Sequence, residues 1–341
     1  MMAPHPNREP DLRPLPKPTL VAGAGGFIGG HLVRELVRAG VPVRAVDVKP
    51  LDDWYQVDSS AASIQADLRE IEACRAAVDG MGAVYNLAAD MGGMGFIENN
   101  KAMCMLSVLV NTHLLMASRD ATVDRYFYAS SACVYAADKQ TSPEVPALVE
   151  SDAYPAMPED GYGWEKLFSE RMCRHFREDF GLETRMARFH NVYGPHGTYD
   201  GGREKAPAAI CRKVAQAVRT GGREIEIWGD GEQTRSFMYI DDCVAGTQMI
   251  MESDFTDAIN LGSSQLVTIN QLVDMVEAIA GITLTRRYDF GAPQGVRGRN
   301  SDNTLMRAVF DWEPSIRLED GLEKTYRWIH DRLSAPLPAI V

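Results

Sequence analysis

The chain has 341 residues, a formal net charge of −12, 45% apolar and 8% aromatic residues, which suits a globular protein with room for a sizeable core and two domains. The acidic balance excludes nucleic acid as the main partner, because phosphate backbones are met by a basic face. No apolar run approaches the length of a bilayer span, so no membrane partner is expected. The six cysteines form no Cys-x-x-Cys pair and have no histidine at metal-ligand spacing, so they read as reduced cytoplasmic thiols without a metal.

In chain order, residues 1–17 are proline-rich and lack an apolar signal core, which predicts a disordered tail. A buried strand is expected over 19–22, then a glycine turn, then a helix over 27–39 with Gly40 as its C-terminal cap. Further strands are expected over 43–48, 63–66, 83–87, 125–129 and 184–189, and helices over 70–79, 101–119 and 161–180. Strands alternating with helices predict βαβ units and a parallel sheet. After Phe189 the rhythm changes to a Gly/Pro-rich stretch. A helix over 207–220, a strand over 224–228, a turn at 229–231, a helix over 241–252, a strand over 258–261 and a helix over 269–280 follow. This part reads as a smaller substrate-binding unit. The boundaries are 18–189 plus about 237–256 for a dinucleotide-binding domain, and 190–236 plus 257–335 for the substrate domain.

Gly23-Ala-Gly-Gly26-Phe27-Ile28-Gly29 stands between a strand and a helix, where glycines admit a pyrophosphate to a helix N-terminus. Asp47, at the end of the second strand, is placed for ribose hydroxyls and favours NAD over NADP. Asp67 is either an adenine contact or a solvated loop acid. Tyr162 and Lys166 share one helical face, where an ammonium lowers a phenol's pKa and makes it a proton acceptor. Ser131, at a strand end, is placed to hold the same substrate oxygen. The set suits removal of a hydride and a proton from a sugar carbinol. Cys133 is surplus to that task and points to a second proton transfer. Lys205 is one of few lysines in the chain and lies in a glycine-rich loop; its bland reading is a solvated charge. Asn191 and the pair Arg297 and Arg299 suit a phosphate or diphosphate. The glycines at 92–95 are either a turn or a place where a sugar approaches backbone.

These residues, with the stretches 88–96, 128–133, 188–191, 201–209, 228–231 and 295–303, resemble the extended short-chain dehydrogenase/reductase family of NAD-dependent epimerases and dehydratases. The likeness runs from Leu20 to about Leu333. It implies an α/β fold: a Rossmann-type doubly wound parallel sheet with a smaller α/β C-terminal substrate domain. Within the family the stretches are similar to members that invert C3 and C5 of a GDP-hexose. By that resemblance Tyr162, Lys166 and Ser131 carry the redox step, and Cys133 and Lys205 are the acid/base pair for inversion. The same resemblance implies that Gly95, Ser131, Asn191, Glu204, Lys205, Lys213, Arg297 and Arg299 hold the nucleotide sugar and that the protein is a homodimer. A 4-epimerase would leave Cys133 and Lys205 idle. A 4,6-dehydratase lacks its acidic pair at Ala132-Cys133-Val134. A non-catalytic NAD-binding regulator is a reading of another class, and it predicts a damaged Tyr/Lys/Ser set.

Overall fold

The computed structural model describes residues 18–334, so the expected tail over 1–17 and the final residue of the 257–335 range lie outside the described residues. The elements run β1 (Thr19–Ala22), α1 (Phe27–Arg38), β2 (Val43–Asp47), β3 (Ala62–Gln65), α2 (Ile71–Val78), β4 (Ala83–Asn86), α3 (Met94–Asn99), α4 (Lys101–Met105), α5 (Ser107–Asp120) and β5 (Arg125–Ser131). They continue with α6 (Tyr162–Phe180), β6 (Glu183–Phe189), β7 (Asn191–Tyr193), α7 (Ala206–Thr220), β8 (Glu224–Trp228), β9 (Thr234–Tyr239), α8 (Ile240–Glu252) and β10 (Ala258–Leu261). The last are β11 (Leu266–Thr268), α9 (Ile269–Ala280), β12 (Thr285–Asp289), β13 (Gly298–Arg299), α10 (Thr304–Phe310) and α11 (Leu318–Ser334).

Seven strands form one parallel sheet in the order β10-β6-β5-β4-β1-β2-β3. The chain winds outward from β1 in both directions, so the crevice between β1 and β4 is the switch point where such sheets place ligands. β1 and β4 are buried at every position, as strands covered by helices on both faces must be. Two apolar clusters lie on the two faces of the sheet. Leu32 and Leu36 of α1 sit in one, and Leu114 and Leu115 of α5 in the other.

Four expectations need correction. β10 pairs parallel with β6 in the large sheet, although Ala258–Leu261 was assigned to the smaller unit. β9, which the sequence reading passed over, extends to Tyr239 in a separate sheet with β7, β11 and β13, so residues 237–239 do not join the large sheet. The run Lys101–Asp120 is long and apolar enough by composition to cross a membrane, against the expectation that no run approaches that length. Its apolarity is accounted for by packing, since Val110, Leu114, Leu115 and Ala117 are buried in the core beside α2 and α6. The single helix expected over 101–119 is two, meeting at Leu106.

Candidate active site

A cavity of about 640 Å³ opens along the C-terminal ends of β1, β2, β4, β5 and β6. One end is built by the glycine turn. Gly23 has φ +84°, and a Cβ there would lie 2.8 Å from the Ala88 amide nitrogen, so only glycine lets β1 turn beside β4. α1 starts at Gly26 with no side-chain cap, and Gly26, Phe27, Ile28 and Gly29 line the cavity, so its first-turn N–H groups are available to an anion. Asp47 is buried at the end of β2. Its carboxylate accepts the Gly25 and Lys49 amides at 3.0 Å each, which ties the glycine turn to the residue expected to hold a ribose. Asp67 lines the same end but is clamped by Arg69, whose guanidinium donates to it at 2.6 Å. That pairing holds the Asp67 carboxyl below its ordinary pKa. The uncapped helix, the turn that a Cβ would fill and the buried carboxylate together fit a dinucleotide without a 2′-phosphate.

The other end gathers Ser131, Tyr162, Lys166 and Lys205 on the cavity wall, with buried Cys133 behind them. Ser131 ends β5, and its hydroxyl accepts the Cys133 amide at 3.2 Å, fixing a tight turn over Ala132–Val134. Tyr162 opens α6. A Cβ at Gly163 would sit 2.3 Å from the Cys133 carbonyl oxygen, so glycine there lets the start of α6 press against that turn. This contact brings phenol, hydroxyl and thiol together. Lys166 lies one helical turn on; its ammonium donates to the Ala129 carbonyl at 3.0 Å and lies 5.5 Å from the centre of the Tyr162 ring.

The expected lowering of the phenol is not what this environment produces. Burial pushes the Tyr162 pKa up, Cys133 and Glu165 add to the rise, and the Ser131 hydroxyl works against it. Desolvation prevails, and the Lys166 ammonium has Glu165 3.7 Å away. For Lys205 enclosure favours the neutral amine and lowers the pKa, while nearby Cys133 acts in the opposite sense. An amine that gives up its proton more readily is more available as a proton acceptor.

The remaining predicted substrate residues surround this end without lining the cavity. Gly95 faces the Trp228 ring, and Asn191 donates to the Ser236 carbonyl at 3.2 Å. Glu204 pairs with Arg212 at 3.2 Å, and Lys213 donates to the Glu226 carbonyl at 2.7 Å. Arg297 forms a two-pronged pair with Asp230 at 3.0 and 3.1 Å. Arg299 is buried, donating to Gln140 at 2.6 Å and to the Cys133 sulfur at 3.6 Å, and it is ion-paired with Glu159. The parallel register of β13 on β9 carries it inward. Sequence reasoning missed Arg235, on β9, whose guanidinium is brought down to about 10 by burial, with Cys133 opposing and Arg297 adding to the fall. Recognising β9 as a strand would have placed it. Lys205, Arg235 and Arg299 all lie near Cys133.

Residues 19–262 match the NAD dependent epimerase/dehydratase family. The chain is 45% identical over 314 residues to GDP-mannose 3,5-epimerase 1 of Oryza sativa subsp. japonica, covering 92% of this chain and 82% of the relative. Among solved structures, UDP-glucose 4-epimerase of Thermotoga maritima, with UDP-glucose, matches with a TM-score of 0.83 and 25% identity over 92% of this chain and 99% of that one. MoeE5 in complex with UDP-glucose and NAD matches with a TM-score of 0.78 and 28% identity over 93% of this chain and 99% of that one.

Proposed function

The chain belongs to the NAD dependent epimerase/dehydratase family, and we propose that it inverts C3, C5 or both of GDP-D-mannose, with GDP-L-gulose the product of C5 inversion and GDP-L-galactose that of both. The observation that carries this beyond the family is the convergence of Cys133 and Lys205 beside Tyr162, Lys166 and Ser131. A 4-epimerase uses only the last three, and no carboxylate follows the serine for an elimination.

The glycine turn, the start of α1 and Asp47 would hold NAD, which would supply a reversible hydride acceptor at C4. Ser131 holds the C4 oxygen while Tyr162 accepts its proton. The resulting 4-ketone acidifies C3–H and C5–H, because the carbanion left by deprotonation delocalises as an enolate. One of Cys133 and Lys205 removes a proton from one face of the sugar, and the other delivers one to the opposite face. Tyr162 then returns its proton to the C4 oxygen as the ketone is reduced. Each positioned acid or base contributes roughly a hundred- to ten-thousand-fold in rate. Net redox is zero.

Arg297, Asn191 and Lys213 form the diphosphate side of the substrate site in this reading, with Glu204 and Gly95 at the sugar; resemblance supports these roles. Exposed Met105 and Leu109, on α4 and α5, and Trp164 and Phe168, one turn apart on α6, form an apolar face that a second copy of the chain covers, giving a homodimer. Sedimentation of the wild type against Leu109→Arg tests it: a monomeric wild type overturns the dimer. Six free, buried cysteines support a cytoplasmic location. Incubation with GDP-mannose, with products separated and absorbance followed at the NADH band, tests the reaction. Inverted hexose without NADH release is the expected result, and one equivalent of NADH per product would establish a dehydrogenase instead.

A further inference from the structure

Glu165 lies between the helix start that carries Tyr162 and the lysine that serves it, and no step above uses it. It is a carboxylate in the core: its side chain is 1% exposed and that of Lys166 is 3% exposed. A buried charge of this kind is costly unless it is paired and hydrogen-bonded. One oxygen is fully occupied, accepting the Tyr128 hydroxyl at 3.0 Å and the Ser169 hydroxyl at 2.9 Å. The other accepts no hydrogen bond and lies 3.7 Å from the Lys166 ammonium. Two donors on one oxygen thus fix the carboxylate so that its free oxygen faces the lysine.

The ammonium itself sits between two rings, 4.7 Å from the centre of Tyr128 and 5.5 Å from that of Tyr162, with the Ala129 carbonyl as hydrogen-bond acceptor. Tyr128 therefore contributes twice, through its hydroxyl to Glu165 and through its face to Lys166. A stabilising salt bridge alone is a weak account of this arrangement, since apolar replacements of buried pairs are often neutral or better.

We propose that Glu165 is a positioning residue for the Tyr162–Lys166 pair: its anchored carboxylate fixes the ammonium against Ala129 and offsets its charge where it faces the phenol. The proposal rests on the reading of Tyr162 as the acid/base of the C4 step. An enzyme with no net redox needs that phenol to take a proton and to give it back in one catalytic cycle. An unopposed lysine would favour the phenolate and hinder the return. Besides the Lys166 ammonium, the groups around the phenol are Cys133 and Cys104, which raise its pKa with Glu165, and the Ser131 hydroxyl, which lowers it.

The test follows the pH dependence of hydride transfer in the NAD-loaded enzyme, read as NADH formed in the first turnover with GDP-mannose. Glu165→Gln keeps both hydrogen bonds from Tyr128 and Ser169 and removes the charge, so the midpoint of the profile is expected to move to lower pH by about one unit. Glu165→Asp keeps the charge one methylene short; the midpoint is expected to stay within a few tenths of a unit of wild type while the rate falls. Should Glu165→Gln fail to fold, Glu165→Met removes the charge with an apolar side chain and is expected to shift the profile the same way. An unshifted midpoint in the charge-free variant, or an equal shift in Glu165→Asp, overturns the proposal and leaves Glu165 as packing. A wild type that forms no NADH in this assay instead overturns the underlying reading of Tyr162.

Discussion

At the scale of the residue, two sets of groups meet at one end of the cavity, with Cys133 buried behind its wall. Tyr162, Lys166 and Ser131 act at C4, whereas Cys133 and Lys205 act only after the ketone exists. Loss of the second set should therefore spare the first. Cys133→Ala is expected to form enzyme-bound NADH from GDP-mannose at close to the wild-type rate while losing at least a hundredfold in inverted product. Lys205→Ala should behave similarly. Rapid mixing at the NADH band with product analysis checks both, and inversion by Cys133→Ala at the wild-type rate would reduce the thiol to packing. The redox residues were legible from one sequence because a Tyr and a Lys one helical turn apart, after a serine at a strand end, constrain each other. The environment of each was not legible: that burial raises Tyr162 depends on how tightly α6 packs on the turn after β5, and that Arg299 points inward at Cys133 depends on a contact across 166 residues of chain.

At the scale of the element, the site depends on how closely α6 approaches the turn after β5. Gly163 makes that contact possible, and its replacement cannot be absorbed by a flexible side chain because the obstacle is the Cys133 carbonyl. Gly163→Ala is expected to cost about 1–3 kcal/mol in urea unfolding, as overpacking does. It should also lower turnover further than the stability loss explains, by moving Tyr162 away from Ser131. Wild-type turnover in a folded variant would contradict this. The βαβ half of the molecule could be read from its periodicity, since buried strands of four to seven residues alternate with amphipathic helices. β9, β12 and β13 could not: each carries arginine, β9 is buried at five of six positions and so shows no alternation, and β13 is two residues long. α11 escaped notice although Leu318, Leu322, Tyr326 and Ile329 repeat at helical spacing, because a glycine and many charges interrupt it.

At the scale of the whole molecule, the smaller unit is tied to the large sheet through buried groups whose protonation bears on stability. Burial pushes the imidazoles of His31 and His190 down to about 4, and His31 bonds the Pro195 carbonyl at 2.9 Å while His190 bonds Asn260 at 3.1 Å. The unfolded chain protonates them near their ordinary value of 6.5, so between pH 6.5 and 4 it binds more protons than the folded protein. Their contribution is complete above pH 6.5 and lost as pH falls toward 4, on the order of 3 kcal/mol each. Urea midpoints are expected to drop from pH 7 to pH 4.5, and to drop less in His31→Gln. That variant isolates one imidazole from the Glu150 and Asp242 carboxyls, which burial raises. Equal midpoints at the two pH values would contradict the assignment. The central claim, that a 4-keto sugar is deprotonated and reprotonated from opposite faces, is tested most directly by proton NMR of GDP-mannose incubated with the protein in D2O. Loss of the C3 or C5 proton signal, or both, is expected, together with new signals of inverted hexose carrying deuterium at the same carbon. Inversion at C4 with C3–H and C5–H intact would contradict it.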